Sequence, residues 1–216
     1  MSKTVLITAG PTREYFDRVR FISNASSGQQ GKYLAEEFSR RGWRVIVVAG
    51  VGIEPLRRQN VLWRRVTSAR QMLATVKKYR NKAALIIGAA AVSDYRPVRT
   101  FWGKIKSNKK KLILVLKPNP DILKIVSRGP EPRPMLIGFA LETGDYQRQL
   151  RSARKKLAAK NLDMIILNPL RSMENKNTIL TIVRSDGLIK KLSLMSKRRA
   201  ARYLTNEILR YYQQLN

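Results

Sequence analysis

The chain has 216 residues, 44 Lys and Arg against 14 Asp and Glu for a formal charge of +30, and neither Cys nor His. That length suits one to one and a half domains of about 150 residues and can bury a sizeable core. The empty Cys and His columns exclude a disulfide scaffold, a thiolate nucleophile and Cys-ligated zinc or iron–sulfur sites, leaving chemistry to Lys, Arg, Asp, Asn, backbone amides and a bound hard cation.

In chain order, Val5–Thr8, Val45–Val48, Leu85–Ile87, Leu136–Gly138 and Met164–Leu167 are short apolar runs that read as strands buried on both faces. Helical patterns lie between most of them. Gly28–Arg41 carries Leu34 and Phe38; Ser68–Tyr79 opens with a Ser68/Gln71 capping box; Tyr146, Leu150, Ala153 and Leu157 follow helical spacing. Strands alternating with helices predict right-handed βαβ units, hence a Rossmann-like, mostly parallel α/β sheet flanked by helices. After Asn168-Pro169, the alternating segments Thr178–Val183 and Leu188–Leu192 flank Ser185-Asp186-Gly187, a signal for a C-terminal antiparallel hairpin. A last helix from about Ser196 puts Leu204, Ile208, Tyr211 and Leu215 on one side. No linker or repeat splits residues 1–216, which read as one domain.

The longest apolar run, Ala83–Val92, has ten residues, about half the roughly 20 a bilayer-crossing helix needs. The N-terminus is too short in apolar length for a signal peptide. These readings point to a soluble, cytoplasmic protein with no membrane partner. The charge points to an anionic partner, and nucleic acid is the first suspect. Residues 95–117 hold Lys104, Lys106, Lys109, Lys110 and Lys111, and are either a mobile basic arm over a site or a solvated charge run.

Candidate sites follow the predicted strands. Ser26-Ser27-Gly28 and Gly31 open a helix after a long loop; free N–H groups there suit phosphate, and a Ser N-cap with tight packing at the glycines suits the same residues. The nicotinamide fingerprint is missing, because the second strand ends in Val48-Ala49-Gly50 with no acidic residue for a ribose. The GxxxxGK[ST] loop and a Tyr-x-x-x-Lys pair are missing too. Gly88–Asp94 puts Asp94 at the carboxyl end of a strand, where it meets a ribose, a base amine or a cation, or else caps a helix. Lys117–Leu123 reads as a helix start with Pro120 near its first position and Asp121 in the first turn. Lys156 and Lys160, four apart on one helix face, read by themselves as a solvated flank.

Together, ITAGPTRE (Ile7–Glu14), Asp17, VRFISN (Val19–Asn24), SSG (Ser26–Gly28), AAVSDYRP (Ala90–Pro97), KIK (Lys104–Lys106), NPDIL (Asn119–Leu123), GFALET (Gly138–Thr143) and KNLDMIILN (Lys160–Asn168) resemble the phosphopantothenate–cysteine ligases over nearly the whole chain. The likeness is to a stand-alone form of the ligase domain of the bifunctional bacterial coenzyme A biosynthesis protein. It implies activation of 4'-phosphopantothenate by CTP, as in most bacterial members, to an acyl-cytidylate, and amide formation with L-cysteine to release CMP. Pyrophosphate leaves in the first step.

By the same resemblance, Asn24 is catalytic and contacts the acyl group, Arg20 binds phosphopantothenate, and Lys104 belongs to a mobile KxKK loop that closes over the intermediate. Gly88, Ala89 and Ala90 lie under the base; Asp94, Asn119, Pro120, Asp121, Ile122, Phe139, Lys156 and Lys160 complete the nucleotide contacts. Mg²⁺ accompanies the triphosphate, no metal-ligating residue is singled out, no flavin is expected without the decarboxylase half, and a homodimer completes the site. The chain departs from the family at Arg18 (usually Pro), Gln29-Gln30 (commonly Lys-Met) and Ser107 (the last lysine of KxKK). Neither the alanine-rich strand nor Asp94 decides between CTP and ATP.

The rival from another class is a basic nucleic-acid-binding module on a Rossmann-like fold, motivated by the net charge and the Lys104–Lys111 cluster. That cluster lacks the interleaved aromatics of a stacking platform, which leaves at most non-specific adhesion.

Overall fold

The computed structural model describes residues 3–106, 111–170 and 177–216. Ser107, Lys109 and Lys110 lie outside the described residues. The first strand, β1 (Thr4–Pro11), is followed by the hairpin β2 (Arg13–Tyr15) and β3 (Phe21–Ser23), by α1 (Gln29–Arg40), and by β4 (Arg44–Ala49) and β5 (Val61–Arg65). Then come α2 (Ala69–Tyr79), β6 (Leu85–Ala91), a second hairpin of β7 (Tyr95–Pro97) and β8 (Leu116–Pro118), and the short α3 (Ile122–Val126). The chain continues through β9 (Met135–Glu142), α4 (Tyr146–Ala159), β10 (Met164–Pro169), β11 (Asn177–Thr178), β12 (Thr181–Arg184), β13 (Ile189–Lys191), β14 (Met195–Ser196) and α5 (Lys197–Leu215).

Eight strands form one sheet in the order β13-β12-β10-β9-β6-β1-β4-β5. From β5 to β10 all neighbours are parallel, and β12 and β13 add the antiparallel margin. This is the Rossmann-like order, with the switch point between β1 and β6, so the carboxyl ends of these strands are where a ligand crevice opens. Period-two alternation divides the core. Val5, Ile7 and Ala9 face α1 and α5, packing with Leu34, Phe38, Leu204 and Ile208. Leu6, Ile46 and Ile86 face the opposite layer, packing with Met72 and Val76 of α2, Ile122 and Val126 of α3, and Leu150 and Ala153 of α4. Each fully buried aliphatic side chain contributes about 1.5–3 kcal/mol, so both faces must be covered.

Local expectations and structure diverge where the apolar pattern is weak. The loop predicted after the first strand contains β2–β3, whose pairing is only three residues long. Strand β5 opens on the three-residue apolar run Val61-Leu62-Trp63 and ends in the exposed Arg64 and Arg65; as an edge strand it is only half-buried, so it lacks the longer apolar stretch of a strand covered on both faces. Thr178–Val183 is two elements: Thr178 pairs with Met195, while Thr181–Arg184 joins the main sheet and makes the expected hairpin with β13. The capping box at Ser68 and Gln71 is present.

Candidate active site

The start of α1 owes its shape to Gly28, whose φ of 67° makes a left-handed cap with no side-chain hydrogen bond to the helix. A Cβ there would stand 2.8 Å from Gly10 Cα. The Ser N-cap alternative is therefore replaced by a glycine cap: Ser26 Oγ accepts from the Gly28 N–H, outside the helix. A cleft of about 160 Å³ between this helix start and the sheet is lined by Ser27, Gln30, Ala89, Asn168 and Thr178.

On the other side of the strand ends, a cavity of about 650 Å³ is bounded by β6, β9, α3, the end of α4 and the segment after β3. That volume is within the roughly 300–1,000 Å³ of small-molecule sites. Its floor is made by Gly88 and Gly138, paired across β6 and β9. Leu123 of α3 rests on both: a Cβ would come within 2.7 Å of Leu123 Cδ1 at Gly88 and 3.3 Å at Gly138. Two bare backbones thus let α3 approach closely and define the cavity edge.

Asn24, Gly88, Ala90, Asp94, Asn119, Pro120, Asp121, Ile122, Phe139, Lys156 and Lys160 all line this cavity. Ala89 lines the smaller cleft instead, because alternation along β6 turns its side chain to the other face. The Asn24 amide donates to the carbonyls of Val92 (3.0 Å) and Ala91 (3.4 Å), tying the segment after β3 to the end of β6. Thr12 supports this junction: its hydroxyl accepts from the Ser93 N–H at 2.9 Å and its carbonyl from Ser23 Oγ at 2.8 Å. Asp94 caps no helix; it precedes β7, and its carbonyl accepts from the Asn119 N–H at 2.7 Å. The Asn119 side chain donates to Ser93 O and accepts from Arg96, which also bonds Pro118 O.

Two sequence readings need correction here. Asp121 is the N-cap of α3 and not a first-turn residue; one of its oxygens accepts from the Lys124 N–H at 3.1 Å and the other pairs with Lys160 Nζ at 2.9 Å. Lys156 and Lys160 are not a solvated flank: Lys156 Nζ donates to Glu142 Oε1 at 2.6 Å, and Lys160 is the C-cap residue of α4. Both ammonium groups are thus placed at the cavity wall by carboxylates, and an entering polyanion would compete for them. Glu142, Thr12, Ser93 and Arg96 were inside or beside the quoted motifs, but their roles depend on partners far away in sequence.

Arg20 and Lys104 do not line the cavity. The Asp17 side chain is fully buried, whereas that of Arg20 is 37% exposed. Arg20 donates from one nitrogen to Asp17 Oδ2 at 2.7 Å and to the carbonyl of Ile105 at 3.0 Å. Burial pushes the Asp17 carboxyl up, but the N–H groups of Arg20, Val19 and Ile105 and the Arg20 guanidinium outweigh it and hold the group at about 2. Lys104 is exposed, one residue before the Ile105 peptide.

Among the described residues no group of three acidic side chains could hold a metal ion. The acids lining the cavity are Asp94 and Asp121, and Asp121 is already paired with Lys160. No helix among the described residues is long and apolar enough to cross a membrane.

The model of the DNA/pantothenate metabolism flavoprotein C-terminal domain matches residues 1–212. The chain belongs to this family. It is 40% identical over 215 residues to the coenzyme A biosynthesis bifunctional protein CoaBC of Haemophilus influenzae, covering 97% of this chain and 52% of that one. The chain thus spans about half the length of the curated relatives it matches. A crystal structure of the C-terminal domain of CoaBC superposes with a TM-score of 0.81 at 35% identity, covering 99% of this chain and 95% of that one. The DNA/pantothenate metabolism flavoprotein from Streptococcus pneumoniae gives a TM-score of 0.87 at 26% identity, covering 97% and 100%. Both likenesses extend over the whole sheet, so the motif resemblance and the fold agree.

Proposed function

We propose that residues 1–216 act as one ligase unit joining 4'-phosphopantothenate to L-cysteine at the expense of CTP, in coenzyme A biosynthesis. The observation that carries the reading is the cavity of about 650 Å³ at the carboxyl ends of β6 and β9, where nearly all the nucleotide contacts expected from the motifs converge. In this reading the base lies over the Gly88 and Ala90 backbone against Phe139, Asp94 and Asn119 orient the nucleoside, and the triphosphate draws Lys156 and Lys160 away from Glu142 and Asp121.

The phosphopantothenate carboxylate attacks the α-phosphorus, the bond to the bridging oxygen breaks, and pyrophosphate leaves. Charge accumulates on the transferred and leaving oxygens, where positioned cations do most of the catalysis. Lys104 is the cation assigned to that charge, and Mg²⁺ enters with the nucleotide as part of the substrate. In the second half the cysteine amine attacks the acyl carbon, CMP departs with the C–O bond electrons, and the amine proton passes to solvent. Asn24, exchanging its long 3.4 Å bond to the Ala91 carbonyl for the substrate, holds the acyl oxygen during both steps. An α-amine of pKa about 8 is partly free base at neutral pH, so no histidine is required. Neither half transfers electrons, which leaves no role for a flavin.

The working unit is a homodimer in the cytoplasm. Support for the dimer comes from the second hairpin and its loop, which expose Tyr95, Val98, Phe101, Trp102 (89%), Ile113 (71%) and Val115 (68%), a concentration of apolar surface that a partner copy would cover.

The decisive assay mixes the purified chain with phosphopantothenate, cysteine, Mg²⁺ and CTP, ATP, GTP or UTP in turn. Pyrophosphate and a product heavier by one cysteine residue are expected, fastest with CTP. No turnover with any of the four at micromolar enzyme rejects the ligase reading.

A further inference from the structure

Asp17 is a buried carboxylate that lines neither cavity, so it needs a separate explanation. Its Oδ1 accepts from the N–H groups of Val19 (2.7 Å) and Arg20 (2.6 Å), which is enough to shape the local turn between β2 and β3. Its Oδ2 does something else: it accepts from Arg20 at 2.7 Å and from the Ile105 N–H at 3.2 Å. The same Arg20 nitrogen donates to the Ile105 carbonyl at 3.0 Å. Both backbone polar groups of one loop residue are therefore taken up by a single acid–base pair distant in sequence.

A second attachment lies upstream. The Phe101 N–H donates to the Phe16 carbonyl at 2.9 Å, and Thr100 Oγ1 to the Tyr15 carbonyl at 3.3 Å. Trp102, Gly103 and Lys104 form a short bridge between two pinned points, and a Cβ on Gly103 would meet nothing within 4 Å. The backbone of Lys104 is held while its side chain stands exposed. A lysine ammonium swings on a flexible four-carbon stem, so anchoring the next peptide is the available means of limiting the volume it searches.

We propose that Asp17 is a positioning residue for Lys104, acting through Arg20 and the Ile105 peptide to hold the lysine-bearing loop against the β2–β3 hairpin. The assignment of a reaction to Lys104 rests on the ligase reading; the clamp itself does not. Among the described residues Arg20 engages one nitrogen in this clamp, so an anion held on its other N–H groups would bear on the loop through the shared guanidinium.

The test combines amide hydrogen exchange over residues 101–106 with steady-state kinetics on the full chain. Asp17→Asn should speed Ile105 amide exchange by about tenfold or more and lower kcat by about 10- to 100-fold, the cost of a modest misplacement, with KM for the nucleotide within about twofold. Should Asp17→Asn fail to fold, Ile105→Pro deletes the loop donor and leaves the local turn intact, and it should reproduce the fall in kcat. Unchanged exchange in Asp17→Asn overturns the clamp. Faster exchange with unchanged kcat overturns the positioning role. A wild-type chain inert with every nucleotide overturns the ligase reading and with it the catalytic assignment, while exchange at Ile105 still decides the clamp.

Discussion

Lys160 and Lys104 are both cations of the proposed site, but one is placed by the framework and the other by a loop. Lys160 ends α4 and is pinned by Asp121, itself the N-cap of α3, so two helices fix its position. Lys104 has an exposed side chain and is placed through its neighbours, by the Ile105 peptide on one side and the Thr100–Phe101 attachment on the other. Binding groups can tolerate an ion-paired resting state because the ligand replaces the carboxylate partner. A group that must meet charge appearing only during reaction is better left unpaired and reached by a small loop adjustment. The Lys160–Asp121 pair is half-buried and still partly reached by water, so it is itself worth only about 1 kcal/mol or less, a small barrier to an incoming triphosphate.

The largest effect expected from breaking this contrast is at the loop. Lys104→Gln should cut kcat by about 100-fold or more with an unchanged melting temperature, measured by pyrophosphate release and calorimetry. A matched fall in melting temperature would make Lys104 structural. At the framework, Gly88→Ala should push Leu123 off the cavity floor and destabilise the fold by about 1–3 kcal/mol in a denaturant titration, because the clash is with a packed side chain. Lys160→Gln should raise the nucleotide KM about tenfold while kcat moves little, the signature of binding shared by ground and transition states. An equal fall in kcat would place Lys160 with Lys104.

The smallest effect is a pH dependence. Asp17 has its carboxyl lowered from 3.8 to about 2. A depressed folded value means that the stability it contributes is fully present above about pH 4 and is lost as the pH falls through about 2. The loop around Ile105 should thus stay protected from pH 7 to 4, apart from the intrinsic pH dependence of exchange, and lose protection between pH 4 and 2. Loss of protection already near pH 6 would contradict it.

Legibility in the sequence followed pattern strength. The apolar runs at Val5–Thr8, Val45–Val48 and Met164–Leu167 each lie within an observed strand of the main sheet, because a strand covered on both faces must be apolar throughout. Three- and two-residue pairings such as β7–β8 and β11–β14 left no such mark. Asn24, Asp94 and Asn119 were picked out by motif order, and the structure brings them to one cavity. Glu142 went without a role because a carboxylate at a strand end says nothing about a lysine 14 positions later until α4 folds back along β9.

The sequence by itself determined the alternation of strands and helices, the family and the absence of thiol and imidazole chemistry, since these depend on local periodicity, ordered motifs and composition. Only the tertiary structure decided which face each residue of β6 presents, which carboxylate holds each lysine, and that Asp17 reaches Ile105. Those decisions rest on contacts closed by the sheet order, and such contacts have no local energetic signature in the chain.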